Sequence, residues 1–475
     1  MSPRPSRTCK DLVPRGFHEQ QAITMKIFNT ATARKEDFVP VSPGRVGIYA
    51  CGMTLQSEPH MGHMRTFVSF DAIRRYFLYA GYEVKFVSNL TDIDDKIIAK
   101  AAERGIDWRE IARENEEKYE RGAAALNLLT PTHQPRATQH VQEIIELIGK
   151  LSEKGHTYEA GGSVWFRVRS FPGYGKLSGK PLDELLEGAR VEPDPAKEDP
   201  ADFALWKGSK PGEPYWHSPW GKGRPGWHIE CSAMSAYYLG QPFDIHGGGM
   251  DLIFPHHENE KAQSEAAEGK EFAKYWLHCG LLQIGGEKMS KSTGKYFSLN
   301  AALADFDPAA LRLYFLKHHY RSPLNFTEEA LLDASSAWET LQGAFSGLRT
   351  LPDIKEFSPP VAERLKAFND AMDDDFGTPR ALAECFGLAS EAKSSSGAEK
   401  DERVAALAIL LSVLGFRVEN EGISALAEDL LSFIIELRAE LRARKEFALS
   451  DTIRDRLSGL GITLEDTPGG TIWHQ

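Results

Sequence analysis

The 475-residue sequence predicts an α/β fold: a Rossmann-type doubly wound parallel sheet with an inserted domain, followed by an α-helical bundle and a small mixed domain. Three observations carry this. Apolar strand patterns alternate with amphipathic helical patterns early in the chain, the order that builds parallel sheets. The alternation breaks where Pro, Gly and charge become frequent, and then resumes. Beyond about Asn325, helical periodicity dominates.

Residues 1–24 precede the regular pattern and are expected to lack ordered structure. Leu12-Val13-Pro14-Arg15-Gly16 resembles a protease-recognition site, so the stretch reads as a remnant or an alternative start. Asp11 and Glu19 weaken a mitochondrial address. Residues 25–137 hold the first half of the sheet domain. There Val46-Gly47-Ile48-Tyr49-Ala50 reads as a buried strand, and Ser57-Glu58-Pro59 supplies helix-start chemistry for a helix over His63–Tyr79. Gly81 closes that helix, Glu83–Asn89 is the second strand, and Asp92 opens a second helix. Residues 138–222 form the insert, with runs such as Glu192-Pro193-Asp194-Pro195. The second half, 223–275, reads as helix Trp227–Tyr238, strand Phe243–His246 and helix His256–Ala267. Residues 276–332 lead into a helical bundle at 333–420. Residues 421–475 read as a charged helical hairpin and an extended tail ending at Trp473.

Composition narrows the function classes. Hydrophobic residues at 41% allow real cores, and the net charge of -12 argues against non-specific polyanion binding while leaving room for a local basic face. The apolar run Val404–Phe416 falls short of the ~20 residues a membrane helix needs and reads as a buried helix. Five scattered cysteines point to a reducing cytoplasm rather than a disulfide framework.

Two short stretches carry the chemistry. His60 and His63 sit three apart at a predicted helix start, just past a strand end where ligands of such sheets bind. A helix amino terminus favours anions, and two imidazoles can donate to a phosphoryl group as charge builds. Gly62 allows close approach. Lys288 and Lys291 lie on a loop bounded by Gly285-Gly286 and Gly294, placed to meet a departing pyrophosphate. Taken singly, surface histidines and a solvated basic loop are the bland alternatives. Together they point to nucleotidyl transfer from ATP. A second constellation is Cys51, Cys231, His256 and Glu260, the last two one helical turn apart. These form a possible zinc set, with His257 or Glu258 as alternative ligands and ordinary buried cysteines as the default.

His60-Met61-Gly62-His63 resembles the "HIGH" signature of class I aminoacyl-tRNA synthetases, and Lys288-Met289-Ser290-Lys291-Ser292 matches their second signature. Cys51-Gly52, Ser88–Lys96, Gly226–Met234, Phe243–Gly249 and Asp251–Glu260 are similar to the cysteinyl-tRNA synthetase family, and the likeness runs from about Met25 to Trp473. This resemblance implies a two-step ligase: L-cysteine is adenylated by ATP with Mg2+, then transferred to the 3' end of tRNA(Cys). It implies catalytic and ATP-binding roles for His60, His63, Lys288 and Lys291, with Gly248 and Asp251 also at the nucleotide. It implies one Zn2+ on Cys51, Cys231, His256 and Glu260, and a cysteine pocket of Cys51, Thr54, Trp227 and His257, with His228 and His246 nearby. A zinc ion would separate cysteine from serine better than a hydrophobic pocket, which discriminates a methylene only about 10–200-fold.

The chain departs from the family at Gln56-Ser57, where an aromatic and an aspartate are usual. Asp307-Pro308-Ala309-Ala310-Leu311-Arg312 resembles the element that precedes anticodon-binding bundles. Arg438, Arg442 and Lys445 have the spacing of one helical face, suited to phosphates. By resemblance Arg444, Asp451 and Asp466 are candidates for anticodon recognition. A monomer without membrane contact is expected. Two other functions share parts of this pattern: a cysteine ligase acting on a small amino sugar, and a non-catalytic tRNA- or zinc-binding paralogue.

Overall fold

Alternation along two adjacent strands decides where the chemistry sits. The computed structural model describes residues 25–182, 184, 194–284, 287–288, 297–346, 348, 351–354, 356–418, 425–467 and 470–474. Two units result: one runs to Ala344 and resumes over Pro352–Val418, and the other takes Phe345–Leu351 and Glu419–Gln475.

In the first unit, hairpin β1 (Lys26–Asn29) and β2 (Arg34–Asp37) precedes β3 (Arg45–Ala50) and the short β4 (Met53–Thr54). Helix α1 (Met61–Tyr79) crosses to β5 (Glu83–Val87), and β6 (Leu90–Thr91) pairs with β4. Helices α2 (Asp95–Arg104), α3 (Trp108–Ala125) and α4 (Val141–Glu153) follow. The insert is a five-stranded antiparallel sheet, β7 (Thr157–Ala160), β8 (Ser163–Phe166), β9 (Phe203–Gly208), β10 (Trp216–Ser218) and β11 (Gly221–Pro225), in the order β10-β11-β9-β8-β7. The main chain of the fold returns through α5 (Trp227–Leu239), β12 (Phe243–Gly249), α6 (Glu258–Glu268) and β13 (Ala273–Cys279). The central sheet is parallel with order β13-β12-β3-β5. Connectivity reverses between β3 and β12, so their carboxyl ends open a crevice.

Ile48 pairs with Ile245 and Tyr49 with His246. A Cβ on Gly47 would meet Leu239 of α5, whereas one on Gly247 would meet Phe70 of α1. The two helices therefore cover opposite faces, as a doubly wound sheet requires. Tyr49 and His246 face α5; Ile48, Ala50 and Ile245 face α1. Cys51 continues the alternation of Tyr49 and is carried to the α5 side.

The described apolar residues of the insert pack into a core shared with the sheet domain. Val164, Phe166, Leu205 and Trp206 share one apolar cluster with Ile144 and Leu147 of α4, Ile229 and Ala233 of α5, and Ala262 and Ala266 of α6. Strands β14 (Leu282–Ile284), β15 (Glu287–Lys288) and β16 (Leu324–Asn325) form a small sheet beyond β13. Helices α7 (Leu299–Asp305) and α8 (Pro308–Leu316) lead to the bundle α9 (Glu328–Gln342), α10 (Pro359–Asp373), α11 (Thr378–Lys393) and α12 (Gly397–Val413). Asp307 caps α8 by accepting from the Ala309 amide, and Pro308 sits at the first helical position. The apolar run beginning at Val404 is buried in α12 as expected, with Phe416 stacked on Trp338. No helix among the described residues is long and apolar enough to cross a membrane.

The second unit pairs α13 (Ala425–Ala443) with α14 (Phe447–Gly459) and closes with a hairpin of β17 (Thr463–Thr467) and β18 (Gly470–His474). The expected extended tail is thus a strand pair. Arg438 corrects the expected basic face: it is 1% exposed and reaches Thr471 Oγ1 at 3.4 Å, while Arg442 and Lys445 remain at the surface. A buried guanidinium that ties a helix to a hairpin holds the unit together rather than meeting phosphates.

Candidate active site

The two histidines build their own helix start. His60 is the N-cap of α1, and its Nδ1 accepts from the His63 amide at 3.3 Å. In return the His60 amide donates to His63 Nδ1 at 3.4 Å. This is a capping box made from imidazoles. The rings stack 3.6 Å apart at 17°. Each Nδ1 is an acceptor, so the neutral ring carries its proton on Nε2 and offers an N–H donor. Gly62 matters for a reason the sequence did not reveal: a Cβ there would lie 3.0 Å from the folded-back His60 ring.

Both histidines line a cleft of about 540 Å³ beyond β3 and β12, shared with Thr54, Trp227, Gly249 and Asp251. Gln56 and Ser57, the departure from the family pattern, lie on its wall, and Lys100 Nζ donates to the Gln56 carbonyl at 2.7 Å. A Cβ on Gly248 would stand 2.8 Å from Leu252 and 3.2 Å from His257, and one on Gly249 would stand 2.5 Å from the Asp251 carboxylate. The Lys288 backbone pairs with Gln283 in the β14–β15 ladder. Lys291 lies outside the described residues. On the far side, Met61 N donates to Phe297 O, and Leu299 N to Pro59 O, so the chain returns to the start of α1.

Cys51, Cys231, His256 and Glu260 converge on the α5 side. All four are buried, with one donor atom each inside a span of 4.8 Å. The sulfurs of Cys51 and Cys231 are 3.9 Å apart, against about 3.8 Å for two thiolates on one tetrahedral zinc. Cys51 Sγ is 3.4 Å from Glu260 Oε1, and His256 Nε2 is 3.0 Å from the same oxygen. Burial raises the Cys51 thiol and the Glu260 carboxyl well above their ordinary ranges. Burial lowers His256 and His257 well below theirs, and holds His246 at about 3. Neutral imidazoles are the ligand form, and a bound cation would offset the cost of ionising the Cys51 thiol and the Glu260 carboxyl in this buried setting. This donor set fits a metal ion.

The set is supported from behind. His228 Nδ1 lies 2.9 Å from His256 Nδ1, and Trp227 stacks on the His256 ring at 4.1 Å. His257 Nε2 is 3.3 Å from Cys51 Sγ, and its Nδ1 is 2.7 Å from His278 Nε2. Cys51, His246, His257 and Glu260 form a second possible donor set. Glu258 is not an alternative ligand: its carboxylate accepts from Gly175 N, Ser178 N and Ser178 Oγ, which turns it toward the insert. His278 and Asn89 were not singled out from sequence. Asn89 Oδ1 accepts from Gly52 N at 2.9 Å and lies 3.7 Å from Cys231 Sγ. A lone histidine in the apolar strand Ala273–Cys279 was the available signal for His278.

The remaining candidates lie in the second unit. Arg444 is exposed and paired with Glu440; Asp451 is exposed, 3.3 Å from Arg454. Asp466 pairs with Thr471 in the hairpin backbone, and its side chain lies outside the described residues.

A switch-point cleft with a His-x-x-His helix start on one side and a lysine-bearing strand pair on the other defines a class I aminoacyl-tRNA synthetase. Residues 37–336 match the family described as tRNA synthetases class I (C) catalytic domain, and residues 367–418 match the DALR domain. The chain belongs to the cysteine–tRNA ligase family. It is 49% identical to the cysteine–tRNA ligase of Dehalococcoides mccartyi over 94% of this chain and 99% of that one. Its identity to the Chromobacterium violaceum enzyme is 48% (95% and 100% covered), and to that of Thermococcus onnurineus 46% (95% and 99%). The fold is similar to Mycobacterium tuberculosis methionyl-tRNA synthetase in complex with methionyl-adenylate, with TM-score 0.54, 18% identity and 82% and 94% coverage. It is also similar to the LeuRS–tRNA–LeuAMS complex of Agrobacterium radiobacter, with TM-score 0.58, 12% identity and 82% and 87% coverage.

Proposed function

We propose that this protein activates L-cysteine with ATP and ligates it to tRNA(Cys). The observation that carries the reading is the buried Cys51–Cys231–His256–Glu260 cluster opening beside the stacked His60 and His63 at one sheet edge. In the first step the cysteine carboxylate attacks the α-phosphate of ATP. The adenylate P–O bond forms as the bond to pyrophosphate breaks. His60 and His63 donate from Nε2 to the phosphoryl oxygens, and Lys288 and Lys291 neutralise the pyrophosphate. Gly248 and Asp251 receive the nucleoside. In the second step the terminal ribose hydroxyl of the tRNA takes the cysteinyl group and AMP leaves. No protein nucleophile is required, because positioning and electrostatics supply the rate.

Cys51, Cys231, His256 and Glu260 would hold one zinc ion, which supplies a Lewis acid that prefers a thiolate to an alcohol. Thr54, Trp227 and His257 wall the side-chain pocket. Arg444, Asp451 and Asp466 would read the anticodon, and Mg2+ would accompany ATP. Cys51, Cys231, Cys279 and Cys385 form no disulfide, which suits a reducing cytoplasm. A monomer suffices for every proposed role. The test is charging of total tRNA with cysteine against serine, with and without chelator. Cysteine-specific charging lost on chelation is expected. Cysteinyl adenylate formed without charging would favour the amino-sugar ligase, and absence of cysteine-dependent ATP–pyrophosphate exchange would favour a non-catalytic paralogue.

A further inference from the structure

Arg65 is a buried cation beside the ATP cleft whose role the mechanism above does not use. It follows His63 by two residues on α1 and is 1% exposed. Its Nη1 donates to Gly280 O at 2.8 Å and Leu281 O at 2.9 Å, and its Nη2 donates to Ser322 O. Its Nε is buried without a hydrogen-bond partner, and among the described residues no carboxylate pairs with it. Burying an unpaired guanidinium is costly, so a residue type without charge would be cheaper if the site only needed filling.

The three carbonyls belong to two segments that matter to the cleft. Gly280, Leu281 and Leu282 line it, as His60, His63 and Thr66 do from α1. Leu282 opens β14, whose next residues pair with Glu287 and Lys288, and Leu282 also pairs with Leu324 of β16. Gly280 N donates to Tyr320 O, and Leu324 N to Leu281 O, which locks the two segments together. A planar guanidinium with a fixed fork of donors suits three carbonyls held in set directions; an ammonium does not.

We propose that Arg65 is a positioning residue that sets the separation between the His60–His63 helix start and the strand pair bearing Lys288, and so serves ATP and its pyrophosphate rather than cysteine. This rests on the ligase reading. Cys51 and Cys231 lie on the α5 side of the sheet, with His256 and Glu260 beside them, and the hydrogen bonds of Arg65 go to Gly280, Leu281 and Ser322 instead. A misplacement near 1 Å in a phosphoryl-transfer site costs on the order of 100-fold in rate.

The test is cysteine-dependent ATP–pyrophosphate exchange in R65K and R65Q, with metal content measured alongside. The expected result is a loss of about 10- to 100-fold in kcat/KM for ATP in both variants, with the cysteine KM within about twofold and the metal stoichiometry unchanged. A rise of the cysteine KM to match the loss for ATP, full activity in R65Q, or restoration by R65K would each overturn the positioning role. Should the variants not fold, hydrogen exchange on the unmodified protein decides: the Gly280 and Leu324 amides should exchange as slowly as those of β12, and loop-like exchange would overturn the clamp. Absence of exchange activity in the unmodified protein would remove the ligase reading itself. Activity there with unaltered Arg65 variants would remove this inference alone.

Discussion

Arg312 of α8 pairs with Asp71 of α1, both buried, and so joins the Asp307–Arg312 element to the helix that begins at His60 and His63. Its Nε also donates to Leu414 O at 2.7 Å and its Nη1 to Leu126 O at 2.8 Å. Arg75 holds the same carboxylate at 2.7 Å. Burial pushes the Asp71 carboxyl up, but Arg75 and Arg312 outweigh it, and the net shift is downward.

Removing Asp71 leaves two buried guanidiniums without their carboxylate, and removing Arg312 leaves Asp71 with one cation in place of two. R312L or D71N should cost about 3–5 kcal/mol, read as a drop in urea midpoint. The double variant should cost less than the sum of the two. A folded-state pKa below the unfolded value of ~3.9 means the Asp71 contribution is present above that pH and is lost as pH falls through the folded value. Urea midpoints of the native protein should therefore drop below about pH 4 more steeply than those of D71N.

His60 caps its helix, and the proposed function gives it a second, separable job as Nε2 donor. H60N keeps a good cap and should leave thermal stability nearly unchanged, while exchange activity falls on the order of 10²–10³-fold, as for a lost transition-state donor. H60A should lose the same activity and about 1 kcal/mol of stability as well. Melting curves beside exchange rates separate the two.

With Cys51, Cys231, His256 and Glu260 as ligands, elemental analysis should find about one zinc per chain and little or none in C231A. H228A leaves all four proposed ligands in place but removes the group behind His256. It should weaken metal affinity about 10–100-fold, measured by competition with a chelating dye. Retention of full affinity would show that His228 does not orient His256.

Substitutions in the second unit should split by burial. R444A and D451A should raise the KM for tRNA without changing ATP–pyrophosphate exchange. R438A should instead lower the unit's melting temperature, because Arg438 is packed against the hairpin rather than facing solvent.

Much of the fold was legible because its signals are local. Strand and helix periods, Asp307-Pro308 and the closing glycines each act within a few residues. The signature motifs named the nucleotide chemistry, and Cys51, Cys231, His256 and Glu260 could be named as one set. What stayed hidden depends on which faces meet. Glu258 and Glu260 are two residues apart, yet one turns to the Gly175–Ser178 loop and the other to the cysteines. Arg438 and Arg442 share a helical spacing, yet one is buried by a hairpin that forms later in the chain.

The sequence by itself determined the class of fold, the family and the residue types of both halves of the site. Only the tertiary structure decided that β3 and β12 lie side by side, so that strict side-chain alternation sends Cys51 to one face while α1 carries His60 and His63 on the other. Pairing of strands far apart in sequence is not written in any local period. It is selected by burial of the whole sheet, and the proximity of the Cys51–Cys231–His256–Glu260 cluster to the His60–His63 pair follows from that selection.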